Sequence, residues 1–189
     1  QVVLYRDQLV YSSEIPTETV EKFHQMVKED GYGLTAYNDK QFYLVASSPG
    51  AKDAYGFIHS NPPALNPDFY KENPINMMLF ISLPPAEEKY KVAFPNLDFL
   101  RNTPYSVDVI SKGNSKAEGI KRFLEHLNQE DAKTYAFGDG PNDIEMLQAV
   151  SHPVAMGNAL PILKEIAEYI TTDNTDNGIV NGLKHYGLI

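Results

Sequence analysis

Residues 134–147 read Thr-Tyr-Ala-Phe-Gly-Asp-Gly-Pro-Asn-Asp-Ile-Glu-Met-Leu. An apolar strand over 134–137 delivers a small residue and then the Asp139 carboxylate. A Gly140-Pro141 turn leads into a helical pattern over 143–150, with Ile144, Met146, Leu147 and Val150 on one face. Such a segment belongs at the carboxyl end of a strand in an open parallel sheet, the edge at which ligands bind. Strand and helix alternate on both sides of it. Upstream lie a short apolar stretch at 107–110 and a helix over 116–128 with Ile120, Phe123, Leu124 and Leu127 on one face. Downstream come a strand at 153–156, a helix at 161–168, a strand at 169–171 and a closing helix at 179–186. This alternation predicts βαβ units and a parallel, Rossmann-like sheet.

The first half has a different texture, rich in Tyr, Phe, Pro and Asn. Short strands at Val2–Tyr5 and at 8–11 flank a turn at Arg6-Asp7. A helix over Thr17–Asp30 follows, where Val20, Phe23 and Val27 recur at helical spacing, Pro16 sits at the start and Gly31 at the stop. Strands at 32–37 and 41–46 around Asn38-Asp39-Lys40 read as a hairpin. Five prolines make 47–76 irregular, with room for one short helix, before a strand at 77–83. The change of texture places a domain boundary between residues 1–102 and 103–189.

Composition narrows the function. The chain has 189 residues, 42% of them apolar and 22% charged, enough to bury a core in one domain or two small ones. Its 25 acidic against 16 basic residues leave a net charge of −9, which argues against nucleic acid or an anionic membrane as partner. With no cysteine, disulfides, thiolate zinc sites and Cys nucleophiles are excluded. No apolar run is long enough to span a bilayer, and the opening residues QVVLYRDQLV lack the pattern of a signal peptide. A cytoplasmic protein is the expectation. The chain opens without Met and inside a strand pattern, as a fragment of something longer would.

Two places carry candidate chemistry. Asp139 would project from the strand tip, with Asn142 and Asp143 at the start of the next helix, and such a carboxylate pair suits a hard divalent cation that takes oxygen ligands. The plainer alternative makes Asp143 a helix N-cap and Asp139 a turn residue. In Ser111-Lys112-Gly113-Asn114-Ser115-Lys116, Lys116 falls on the first turn of a helix, where a cation opposes the dipole. That placement makes sense if an anion such as a phosphate binds there; the alternative is a solvated surface lysine. The run Val154-Ala155-Met156-Gly157-Asn158-Ala159 reads as a strand-to-helix connection, and the five histidines are scattered without ligand spacing.

Taken in order, SKGNSKAEGI (111–120), GDGPNDIEML (138–147), VAMGNA (154–159) and TTDNTDNGIVNGL (171–183) resemble the haloacid dehalogenase (HAD) superfamily in its Cof-type branch. The resemblance implies the C-terminal part of a HAD Rossmann-like core (103–189) and an α/β cap domain that selects the substrate (1–102). It implies a Mg²⁺-dependent phosphatase acting on a small phosphorylated metabolite such as a sugar phosphate. Lys116 would neutralise the phosphoryl group, with Lys112 the alternative; Asp139 would be the Mg²⁺ carboxylate. Asp143 would support the metal site through water or through Lys116, and Asn142 would lie near the phosphate.

One departure bears on all of this. Family members open with Asp-x-Asp-Gly-Thr, whose first Asp is the nucleophile that becomes an aspartyl-phosphate. No such segment occurs in this chain, nor does the Ser/Thr motif that follows it. The resemblance places both upstream, in roughly 80–90 residues. The chain alone is then expected to be inactive, and the strand at 134–137 to have an open edge covered by the missing segment or by a second copy. A truncated, non-catalytic relative that keeps a metal or phosphate site is an alternative, as is phosphomannomutase-like transfer. The phosphorylation domain of a cation pump shares the GDGxND logic but would need transmembrane segments.

Overall fold

A computed structural model describes residues 2–189 and divides the chain between Asn114 and Ser115 into two units. In the first, β1 (Val2–Tyr5) and β2 (Gln8–Ser12) pair antiparallel around Arg6 and Asp7. Those two residues adopt φ of 49° and 64°, the left-handed backbone that two-residue hairpin turns require. α1 (Thr17–Asp30) ends at Gly31, whose φ of 75° lets its N–H return to the Lys28 carbonyl.

The remaining strands are β3 (Gly33–Tyr37), β4 (Phe42–Ala46), β5 (Met77–Ile81), β6 (Leu97–Thr103) and β7 (Ser106–Ser111). They form an antiparallel sheet in the order β4-β3-β5-β7-β6. Register aligns Leu34, Phe80 and Val107 in one row and Ala36, Met78 and Val109 in another. Both rows lie in one core with Val20, Phe23 and Val27 of α1 and with Tyr90 of α4 (Glu87–Ala93). Phe23 meets Phe80 edge to face at 5.6 Å, and Phe80 lies 4.4 Å from Tyr90. Each such pair contributes about 0.5–1.5 kcal/mol beyond its buried area. α2 (Ala51–Phe57) contributes Ala51, Ala54 and Tyr55 to a separate cluster with Leu44 and Ile81.

Three sequence expectations change here. The stretch at 107–110 is not part of the parallel alternation: it lies in β7, hydrogen-bonded antiparallel to β5 and β6. The break between units therefore falls after Asn114, and a boundary at 102/103 would cut through β6. β6 itself carries Asp98, Arg101 and Asn102, which blur its alternation. Arg101 is there to hold the buried Glu87 of α4 through two hydrogen bonds, 2.7 and 2.6 Å. Finally, 47–76 contains two helices, α2 and α3 (Phe69–Glu72).

In the second unit, α5 (Lys116–Leu127) is followed by β8 (Tyr135–Gly138), a single 3₁₀ turn over Pro141–Asp143 and α6 (Ile144–Ala149). Next come β9 (His152–Ala155), α7 (Pro161–Ile166), β10 (Tyr169–Ile170) and α8 (Gly178–His185). The three strands are parallel in the order β10-β9-β8, as the alternation predicts. Their core is Ala136, Ala155, Met156, Leu147 and Leu163. α8 approaches β8 so closely that a Cβ on Gly182 would stand 2.3 Å from the Phe137 ring. β8 is an edge strand, paired among the described residues only with β9. No helix among those residues is long and apolar enough to cross a membrane.

His24 on α1 is a buried titratable group, 7% exposed, with Nδ1 3.3 Å from the Tyr70 hydroxyl. Desolvation and the neighbouring Lys28 hold its pKa below the ordinary 6.5. The unfolded chain therefore takes up this proton first, and stability falls as pH drops from about 6.5 toward the folded value. In urea unfolding followed between pH 7.5 and 4.5, His24→Phe is expected to flatten that part of the profile. An unchanged profile would contradict the assignment.

Candidate active site

Asp143 is the buried charge of the second unit, 5% exposed at the turn between β8 and α6. Gly138 makes room for it: a Cβ there would lie 2.7 Å from the Asp143 Cβ. Its Oδ2 accepts the backbone N–H groups of Asp139 (3.0 Å) and Gly140 (3.3 Å), and its Oδ1 accepts Lys116 Nζ at 2.5 Å. It makes no side-chain cap to α6, so its oxygens serve the Gly138–Asp139–Gly140 turn and the lysine instead. Burial by itself would raise the carboxyl pKa. The hydrogen bonds from Lys116 and the two backbone N–H groups outweigh it and hold Asp143 below the ordinary carboxylate value.

Lys116 is the first residue of α5, whose N-cap Ser115 accepts the Glu118 N–H at 3.4 Å. The ammonium thus sits at the positive end of a helix, held there by Asp143 and still half exposed. Asp143 is its one hydrogen-bond acceptor among the described residues, which leaves donors for a second anion. The helix does not follow a strand of the parallel sheet, because β7 belongs to the other unit; the 111–116 segment connects the two units. Lys112, the other candidate, belongs to the first unit, where its ammonium contacts the Pro95 carbonyl at 3.5 Å.

Asp139 projects exposed beyond β8. Its Oδ2 accepts Asn158 Nδ2 at 2.9 Å, and among the described residues Oδ1 has no partner. Asn142, on the same turn, is exposed and its side chain has no hydrogen-bond partner there either. These atoms test the fit to Mg²⁺. No group of three metal-ligating side chains occurs among the described residues. Asp143 has both oxygens engaged, so Asp139 is the carboxylate with an oxygen to offer. Mg²⁺ is bound through one or two carboxylates with waters and phosphate oxygens, so the donor chemistry fits as part of a ligand set.

Sequence reasoning set Asn158 aside as part of a connection. Its signal was present in the VAMGNA run, but its significance depends on a fold that returns residues 172–174 against Gly157. A Cβ on Gly157 would lie 2.6 Å from the Asp173 nitrogen.

Removing the lysine tests the ion pair. Lys116→Met is expected to cost about 1–3 kcal/mol at neutral pH, because it leaves a buried carboxylate short of a donor. Since Lys116 helps hold Asp143 below its ordinary value against the opposing effect of burial, the difference from wild type should be present at neutral pH and be lost as falling pH protonates the carboxyl in both folded proteins. Urea titrations of both proteins at neutral and acidic pH check this; a difference independent of pH would contradict it.

A family model described as haloacid dehalogenase-like hydrolase matches residues 1–183. YkrA of Bacillus subtilis (strain 168), whose name proposes a phosphatase, is 35% identical over 190 residues, spanning 100% of this chain and 74% of its own length. A crystal structure of a protein from Geobacillus kaustophilus HTA426 superposes with a TM-score of 0.90 at 32% identity, covering 100% of this chain and 74% of that one. The HAD subclass IIB sugar phosphatase BT4131 superposes with a TM-score of 0.83 at 26% identity, over 98% of this chain and 72% of its own. The parallel unit and the antiparallel cap-like unit are those of the class IIB fold, and the chain belongs to the haloacid dehalogenase-like hydrolases, in their Cof-type branch.

Proposed function

We propose that this chain supplies the electrostatic half of a Mg²⁺-dependent phosphatase site for a small phosphorylated metabolite, a sugar phosphate or similar. The observation that carries the reading is the Lys116–Asp143 pair, which fixes an ammonium at a helix N-terminus beside the turn that presents Asp139. Phosphoryl transfer demands little of a protein beyond positioning and charge neutralisation. Lys116 would donate to a phosphoryl oxygen through the N–H bonds that Asp143 leaves free. Asn142 would donate its amide to the same group. Asp143, kept ionised by its three donors, holds the ammonium in place. Asp139 would hold the cation, which when bound polarises the phosphoryl oxygens and offsets their charge.

The nucleophile in this reading is an Asp outside residues 1–189. Its carboxylate oxygen would attack phosphorus, the bond to the substrate oxygen would break, and water would then release phosphate from the aspartyl-phosphate. We place its strand along the free edge of β8, which would set its carboxylate next to Asp139; a second copy of the chain is the other way to cover that edge. The cap-like unit would choose the substrate.

The assay is Mg²⁺-dependent hydrolysis of a generic aryl phosphate. The 189-residue chain alone should show no turnover above an EDTA control. The same chain extended in frame to include Asp-x-Asp-Gly-Thr should turn over, and Asp139→Asn should lower its kcat/KM by at least about 100-fold. Turnover by the chain alone that is lost with EDTA and with Asp139→Asn would overturn the reading at its central step.

A further inference from the structure

We propose that Asn158 is the positioning residue that makes Asp139 a one-oxygen ligand, and that it thereby sets the preference of the site for Mg²⁺ over Ca²⁺. The inference rests on Asp139 as the cation carboxylate and adds a role for a residue outside that assignment.

Asp139 is framed by one short segment. The Met156 N–H donates to the Gly138 carbonyl (3.0 Å) and the Leu160 N–H to the Asp139 carbonyl (3.1 Å), so the backbone around the carboxylate is pinned from both sides. Between those two, Asn158 reaches the side chain. Its orientation is unambiguous on chemical grounds. The backbone N–H of Asn174 lies 3.1 Å from Asn158 Oδ1 and can only donate, so the amide oxygen must face Asn174 and the NH₂ group must face Asp139. The NH₂ donates to Asp139 Oδ2 at 2.9 Å and leaves Oδ1 without a protein partner.

This has a consequence for the metal. A carboxylate with one oxygen held by a donor offers its unpartnered oxygen first, and two-oxygen binding has to compete with that hydrogen bond. Mg²⁺ demands near-ideal octahedral geometry, whereas Ca²⁺ takes more oxygens and accepts both from one carboxylate. Blocking Oδ2 therefore disfavours Ca²⁺. The contact also ties Asp139 to the 172–177 turn, where Asp173 Oδ1 accepts the Thr175 N–H (3.0 Å) and the Asn181 amide donates to Thr172 Oγ1 (2.8 Å).

Mn²⁺ binding to the chain extended in frame to include Asp-x-Asp-Gly-Thr, read by electron paramagnetic resonance and competed with Mg²⁺ or Ca²⁺, tests this without an activity assay. Asn158 is exposed, so Asn158→Ala opens no buried cavity, and melting in EDTA verifies its folding. If that variant does not fold, Asn158→Ser is read in its place. The expected result is a Mg²⁺ affinity about tenfold weaker, with Ca²⁺ affinity falling less, so that the preference narrows. Asp139→Asn runs beside it. An unchanged Mg²⁺/Ca²⁺ ratio in the folded variant, with binding lost in Asp139→Asn, overturns the role of Asn158 alone. Binding that survives Asp139→Asn overturns the cation reading itself.

Discussion

A carboxylate excluded from water and held ionised by three donors organises the second unit. Asp143 needs Gly138 to have no side chain, the Gly138–Asp139–Gly140 turn to aim two N–H groups inward, and α5 to bring Lys116 to its remaining oxygen. Each requirement fixes a different part of the chain. The turn decides where Asp139 points, and the ion pair decides where the ammonium stands. A pair of this kind, with its carboxylate buried and its ammonium half exposed, adds little net stability, because desolvation of the carboxylate consumes much of the Coulomb gain. Its value lies in placement: two opposite charges and a third, exposed carboxylate are held at the tip of one strand.

Around that tip the structure separates what is fixed from what is offered. Asp143 has no free oxygen, while Asp139, Asn142 and the ammonium of Lys116 each retain hydrogen-bonding or ligating capacity that the described residues do not use. Groups of this kind gathered at one strand tip are what an anionic substrate with a hard cation requires. The antiparallel unit is built on different terms. Its core is aromatic, with Phe23, Phe80 and Tyr90 in mutual contact, and an ion pair between the buried Glu87 and the partly buried Arg101 joins a helix to a strand.

The parts of this fold that were legible in the sequence are those whose local chemistry matches their tertiary role. The β8–turn–α6 segment declares itself because an apolar strand runs through a Gly-Asp-Gly-Pro turn into an amphipathic helical pattern, and the α1 face shows in the spacing of Val20, Phe23 and Val27. What stayed hidden depends on long-range pairing. Residues 107–110 look like any short apolar strand, and only hydrogen bonds to β5 and β6 show which sheet they join. β6 was obscured by Arg101 and Asn102, whose partners lie elsewhere in the chain or across the hairpin. Asn158 reads only as part of a strand-to-helix connection because both its partners, Asp139 and Asn174, are distant in sequence.

The central claim is that a divalent cation is held at the end of β8. The most direct measurement is paramagnetic broadening of amide signals in the ¹⁵N-labelled chain, extended in frame to include Asp-x-Asp-Gly-Thr, during a Mn²⁺ titration. The account predicts that the amides of Asp139 and Gly140 and the side-chain amide of Asn158 broaden first, and that Asp139→Asn removes the effect. Broadening centred elsewhere in the chain, or unchanged in that variant, would contradict it.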